Sequence, residues 1–214
     1  MQKITLQGVL PLVFQSAPPR DSGVWTRDIS FARGQLYLVE AASGRGKTSL
    51  CSYLHGSRLD YSGRVLFDDE DAARLSPAAW GKIRRSSLGI IFQGLRLFPE
   101  LTALENVRLK NRLTGFRDER WIRDAFERLG IADKLNAPVA KISFGQQQRV
   151  ALARGLCQPL DFLLMDEPVS HLDEENSRRA GELILEEATR TGFAVIATSI
   201  GKHVELPYHQ ILHL

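Results

Sequence analysis

The chain has 214 residues, 43% of them hydrophobic and 25% charged, with a formal net charge of +3. This composition suits one large domain, or a domain with a subdomain, that buries a real core. The charge is too mild to argue for nucleic acid, since basic residues beside an anionic ligand or facing a membrane explain it equally well.

The first residues, "MQKITLQGVLPLVF", lack the basic start, the continuous apolar run and the small-residue cleavage site of a signal peptide. No stretch reaches the roughly 18 apolar residues needed to span a bilayer. Any service to a membrane is therefore expected through a partner. The two cysteines, Cys51 and Cys157, sit in no CxxC pattern, and the plain reading is a reducing cytosol.

In chain order, "SAPPRDSG" at residues 16–23 reads as a loop. Apolar runs at residues 36–40, 65–67, 88–92, 161–165 and 194–198 read as strands, several of them apolar on both faces as in a buried parallel sheet. Helices are expected over 48–54 and 174–190, and the alternation argues for an α/β core. Residues 94–158 differ, with helical patterns and no convincing strand. There Ile122, Ala125, Phe126 and Leu129 recur at helical spacing, and Glu119/Arg123 and Asp124/Arg128 form i,i+4 pairs on a solvated face.

Between the first of these strands and its helix lies "AASGRGKTSL", residues 41–50. It nearly matches GxxxxGK[ST], a loop whose backbone curls around phosphate oxygens. Gly44 and Gly46 supply the φ freedom, successive N–H groups point inward, and the helix N-terminus backs them. Lys47 adds a positive charge for the β- and γ-phosphates, and Thr48 a hydroxyl for Mg²⁺. The cradle candidates run through Ala42, Ser43, Gly44, Arg45, Gly46, Lys47, Thr48 and Ser49, while Ala41 stands where the first glycine belongs. "DFLLMDEP", residues 161–168, is an apolar strand ending in two carboxylates. Asp166 is placed to hold Mg²⁺ and Glu167 to polarise an attacking water.

A second stretch, "KISFGQQQRVALARG" at residues 141–155, opens an apolar-striped helix with a serine, a glycine and a run of glutamines. Ser143 and Gln146 fit the S-x-x-Q capping box, and such a helix N-terminus also presents N–H groups to an anion.

The ordered set — the loop at 41–48, Gln93 after "GIIF", "ISFGQQQRVALARG", "FLLMDEP" and "SHLD" — resembles the ATP-binding cassette (ABC) ATPase family across essentially the whole chain. The resemblance implies an α/β fold: a P-loop NTPase core with an antiparallel β portion and a helical subdomain. Residues 1–93 and 159–214 would form the core and about 94–158 the helical part. It implies ATP and Mg²⁺, and two cassettes paired head to tail, by default a homodimer. Ser143, Gly145 and Gln146 of one cassette would then read the γ-phosphate of ATP held by the other, and hydrolysis would release the pair. Gln93 would contact Mg²⁺ or the attacking water. Asp173, in "SHLD", would lie along the dimer interface and cap the following helix. An aromatic ahead of the P-loop would stack on adenine, either Phe14 or Trp25.

Two further positions depart from the family pattern. Phe144 replaces the first glycine of LSGGQ, and Ser199 stands where the family has its switch histidine, with His203 four residues on. Loss of that histidine is expected to slow hydrolysis more than binding. The segment "FPELTALENV" resembles the lipoprotein-releasing and macrolide-export ATPases and the cell-division ATPase paired with an FtsX-like permease. That implies a separate integral-membrane permease, contacted through Leu95, Leu97 and Phe98, and a cytoplasmic location on the inner face of the membrane. The alternatives are a cassette that binds ATP as a regulatory switch, and a non-transport ABC ATPase. No nucleic-acid partner is expected.

Overall fold

The computed structural model describes residues 1–19 and 21–214, so Arg20, within the loop read at 16–23, lies outside the described residues. A five-stranded parallel sheet forms the centre. Its strands are β3 (Leu36–Glu40), β6 (Leu88–Ile91), β7 (Phe162–Asp166), β8 (Ala194–Ser199) and β9 (Gln210–His213), in the order β6-β7-β8-β3-β9. A second, antiparallel sheet holds β1 (Lys3–Pro11), β2 (Asp28–Ala32), β4 (Tyr61–Phe67) and β5 (Glu70–Asp71), in the order β2-β1-β4-β5. The helices are α1 (Lys47–Leu54), α2 (Pro77–Ser86), α3 (Ala103–Asn111), α4 (Glu119–Arg128), α5 (Phe144–Gly155) and α6 (Glu174–Thr191). The α/β class expected from the alternating pattern is what the chain adopts.

Successive side chains of a strand face opposite sides, and in the parallel sheet both sides are apolar. Leu36 and Leu38, Leu163 and Met165, and Val195 and Ala197 join one core, which also holds the buried faces of α3, α4, α5 and α6. Tyr37 and Val39, Phe162 and Leu164, and Ala194 and Ile196 join the other, against α1 and the antiparallel sheet. Residues 94–158 thus carry α3, α4 and α5, and their apolar side chains share one continuous cluster with α6 and the sheet.

A buried polar knot fixes this junction. Arg117 pairs with Glu187 of α6 and also donates from Nε to the Leu156 carbonyl at 3.1 Å. Glu187 further accepts from Trp121 Nε1 at 2.9 Å and from Arg190 at 2.7 Å. Burial alone would raise the Glu187 pKa, but the hydrogen bonds from Arg190, Trp121 and Arg117 outweigh it and hold the carboxyl low.

On α4, Asp124 stands 3.9 Å from Arg128, as the spacing suggested, while Glu119 turns instead to Arg108 of α3. Arg108 reaches it with both Nε and Nη2, a bidentate pair.

Replacing Glu187 with alanine leaves Arg117 charged and buried. The expected cost is about 3–5 kcal/mol of folding free energy, read from urea denaturation of the variant against the parent.

Candidate active site

Parallel register decides where the chemistry gathers. Asp166 pairs with Thr198, Glu40 with Ser199, and Ile91 with Met165. All these strands therefore end at one edge, and the loops leaving β3, β6, β7 and β8 emerge side by side, the usual place for ligands in an open α/β sheet.

The loop after β3 contains Gly44 at φ 77° and Gly46 at φ 99°, and Gly46 is the N-cap of α1. Ala41, at the place of the family's first glycine, is not among the residues with positive φ, so its methyl group costs the backbone nothing. Lys47 donates to the carbonyls of Ala41 and Ala42, each at 2.9 Å, and its ammonium lies 3.7 Å from Glu167. Trp25 is wholly buried and donates from its indole to the Arg45 carbonyl at 3.1 Å, bracing the cradle from behind. Phe14 instead stands at the cavity wall.

That cavity, of about 320 Å³, is lined by Phe14, Ser43, Gly44, Gly46, Lys47, Thr48, Ser49, Gln93, Glu167 and Ile200, with Val13 at its rim. Gln93 donates from Nε2 to Glu167 Oε2 at 3.3 Å, so the Glu167 carboxylate sits between an amide and an ammonium. Glu167 itself has φ 51°, a left-handed conformation that costs a non-glycine residue roughly 1 kcal/mol or more. Ser170 holds it there, donating from N at 3.4 Å and from Oγ at 3.2 Å to the Glu167 carbonyl. Asp166 is buried and accepts from Thr198 Oγ1 at 2.9 Å. The Thr48 hydroxyl of α1 and the Gln93 amide line the cavity, whereas Asp166 ends β7 buried and outside that lining; the three are hard oxygen donors of the kind that suits Mg²⁺ alongside phosphate oxygens. Among the described residues no cluster of three or more His, Cys, Asp or Glu could hold a metal by itself.

Ser199 ends β8 directly after Thr198, as the sequence pattern places it, but does not line the cavity. It is fully buried, and its hydroxyl donates to the Lys202 carbonyl at 2.8 Å. Ile200, half exposed, takes the place at the cavity wall. His203 faces Glu40, 3.8 Å away, and is not part of the lining. The two cysteines are buried, with burial pushing the Cys51 thiol well up and Cys157 to about 12, so neither is a nucleophile.

The stretch at residues 141–155 stands apart from this cavity. Ser143 and Gln146 form the capping box: Ser143 Oγ accepts from Gln146 N at 3.3 Å, and Gln146 Oε1 accepts from Ser143 N at 3.0 Å. Ser143 is exposed, and Ser143, Gly145 and Gln146 contribute nothing to the lining of the cavity. Asp173 is the N-cap of α6, accepting from Asn176 N at 2.8 Å, and this bond first, then one from the Asn176 side chain, holds its carboxyl low.

Sequence reasoning missed two braces. Arg154, at the end of α5, donates to the carbonyls of Leu95 and Arg96, both left-handed, and so fixes the segment after Gln93. Arg149 links α5 to the carbonyls of Leu129 and Gly130 and to Asn176 of α6. Arginines within an apolar-striped helix, where a charge needs a partner, were the available signal. Leu95 is buried and offers no surface to a partner, whereas Phe98 is half exposed and Leu97 partly buried.

Phe98 opens onto a groove of about 380 Å³ between α2, β6, α3 and α5, walled by Phe92, Leu109 and Leu113 and carrying His55, Arg84, Lys110 and Arg154. Burial first, then the charges of Arg84, Lys110 and Arg96, lower the His55 pKa to about 4.

This loop, strand and carboxylate arrangement defines a P-loop nucleotide-binding protein. Within that class, a family profile described as "ABC transporter" matches residues 26–170, more than half of the chain. The chain belongs to the ABC transporter family of ATP-binding cassettes. It is similar to the lipoprotein-releasing system ATP-binding protein LolD of Shewanella frigidimarina, 32% identical over 203 residues that cover 91% of this chain and 85% of that protein. An uncharacterised ABC transporter ATP-binding protein of Mycobacterium tuberculosis is 36% identical over 174 residues, 80% of this chain, and the match spans 53% of that protein, about half its length. Among solved structures, the dimeric post-hydrolysis state of the cassette MJ0796 bound to ADP and Pi aligns with a TM-score of 0.75 and 25% identity, covering 92% of this chain and 87% of that one.

Because the folded-state pKa of His55 lies below its ordinary 6.5, the unfolded chain takes up that proton first. The contribution is complete above about pH 6.5 and is lost as pH falls toward about 4, on the order of 3 kcal/mol in all. Denaturation series at pH 7.5 and 4.5 should show the loss, and His55→Gln should make the pH dependence shallower.

Proposed function

We propose that this chain is the ATP-binding and ATP-hydrolysing subunit of a membrane transport or force-transmitting complex, and that two copies close around two ATP molecules. One observation carries the reading. The cavity is lined by most of the P-loop with Gln93 and Glu167, while the turn at Ser143–Gly145, exposed at Ser143 and Phe144, lies outside it. A turn built to read phosphate but remote from its own nucleotide is accounted for if it serves a second copy's nucleotide.

In this reading Phe14 stacks on adenine, since Trp25 is buried and its indole engaged. The N–H groups of the 42–49 loop hold the phosphates, and Lys47 moves its ammonium from the Ala41 and Ala42 carbonyls to phosphate oxygens. Thr48, Asp166 and Gln93 would hold Mg²⁺, which supplies charge neutralisation on the phosphoryl oxygens. Glu167, oriented by Gln93, accepts a hydrogen bond from the water that attacks the γ-phosphorus, and the bond to the β-phosphate oxygen breaks to give ADP and phosphate. Loss of the γ-phosphate removes the contact that Ser143 and Gly145 make to the other subunit's nucleotide, and the pair opens.

The permease would dock in the groove beside Phe98. Its exposed Phe98, Leu109 and Leu113 with the cations of Arg84, Lys110 and Arg154 suit a helix that carries apolar residues and a carboxylate. An FtsX-like or related permease is the proposed partner, by likeness to the lipoprotein-releasing ATPase, with the cassette on the cytoplasmic face of the membrane. No described helix is long and apolar enough to cross one.

The deciding experiment is Mg²⁺-dependent ATP hydrolysis by the purified chain beside Glu167→Gln. Slow turnover is expected in the parent and a loss of about 100-fold or more in the variant, which should collect as an ATP-bound dimer by light scattering. ATP-independent monomers in both proteins, without turnover, would sink the reading. Ser199→His should not accelerate the parent, because that side chain is buried, whereas Ile200→His puts a donor at the cavity wall.

A further inference from the structure

The loop that follows Glu167 is gripped from two sides, by the start of α5 and by Lys202, a residue that none of the motifs includes. On one side the Phe144 ring meets the His171 ring edge-on, with centroids 4.6 Å apart at 68°. Gly145 closes against the same backbone, where a Cβ would stand 3.1 Å from the His171 carbonyl oxygen. On the other side Lys202 donates from Nζ to the Leu172 carbonyl. The Lys202 carbonyl in turn accepts from Ser199 Oγ at 2.8 Å. After the two Asn176 hydrogen bonds and Arg149, the Lys202 charge also helps hold the carboxyl of Asp173, the next residue, low.

An exposed lysine side chain gives up much rotamer freedom to settle on a carbonyl, so a charge-assisted bond made across two loops calls for a reason. The other end of the gripped loop supplies one. Glu167 is left-handed and depends on Ser170, whose N–H and hydroxyl both donate to its carbonyl. Leu172 N donates to the Val169 carbonyl at 3.1 Å, so the turn is continuous from Glu167 to the carbonyl that Lys202 holds. An error in the far end of such a turn is passed to the direction of the Glu167 carboxylate, where small displacements are costly.

We propose that Lys202 is a positioning residue for ATP hydrolysis. It pins the 167–173 loop so that Glu167 points into the cavity, a bracing role that the buried Ser199 side chain performs only indirectly, through the Lys202 carbonyl. This rests on the reading that the chain hydrolyses ATP.

The test compares the parent, Lys202→Met and Lys202→Arg by steady-state ATPase kinetics and by hydrogen–deuterium exchange of the nucleotide-free chain. Lys202→Met should lower kcat about ten-fold with KM for ATP within about two-fold, and arginine should restore most of the rate. Exchange at the Ser170 and Leu172 amides should quicken about ten-fold in the methionine variant and return in the arginine variant, with α1 unchanged. Parental kcat in Lys202→Met, beside a parent that Glu167→Gln silences, would overturn this inference and leave the ATPase reading standing. Unaltered exchange at those amides would overturn it as well. A parent that binds ATP without turning it over would remove the ATPase reading, and this inference with it.

Discussion

The register of the parallel sheet is the constraint on which the site depends. Glu40 opposite Ser199 and Asp166 opposite Thr198 bring three strand ends to one line, with β6 ending beside β7. A shift of one residue in β7 would turn Asp166 from the Thr198 hydroxyl into the opposite core and carry Glu167 with it. That slip is resisted because both faces are apolar: Leu163 and Met165 would exchange places with Phe162 and Leu164 between cores of different shape. The precision of the carboxylates is thus supplied by residues that never touch a ligand.

The same economy joins the helical part to the sheet. Its apolar side chains are continuous with one face of the sheet, but an apolar cluster alone is non-directional. Direction comes from arginines. Arg117 fixes α6 through Glu187, Arg149 fixes α6 through Asn176, and Arg154 fixes the two left-handed residues after Gln93. Burial lowers the Arg154 pKa to about 10, so it remains charged at neutral pH. A displacement of α5 is therefore felt both at the segment after Gln93 and at α6, whose N-cap is Asp173.

How much of this the sequence disclosed follows from periodicity and from locality. The parallel strands stood out because they are apolar on both faces, and the loop at 41–48 because its glycines and lysine act within a few residues of each other. β1 was harder to see: Ile4 and Leu6 alternate correctly, but Gly8 sits at positive φ where the pairing with β4 slips, and the pattern breaks there. α2 buries only Trp80, so its apolar stripe is one residue wide, although Ser76 and Pro77 mark its start. β9 is four residues with one side chain buried. The burial of Ser199, the outward turn of Ile200 and the reach of Lys202 to Leu172 depend on how one loop folds after its strand, and no spacing rule encodes that.

Phe144 shows how local geometry decides whether a departure from a motif matters. It is the first residue of α5, and neither it nor Gly145 has a positive φ, so this turn does not ask for glycine on conformational grounds. What it asks for is room. At Gly145 the His171 carbonyl oxygen stands 3.1 Å from where a Cβ would be, and a side chain there would push the 170–173 loop away. At Phe144 the half-exposed ring leans onto the His171 ring. The glycine this chain retains is the one whose missing side chain lets two loops touch. The one it has replaced stood where a ring can add a contact to the same loop that Lys202 holds from the other side.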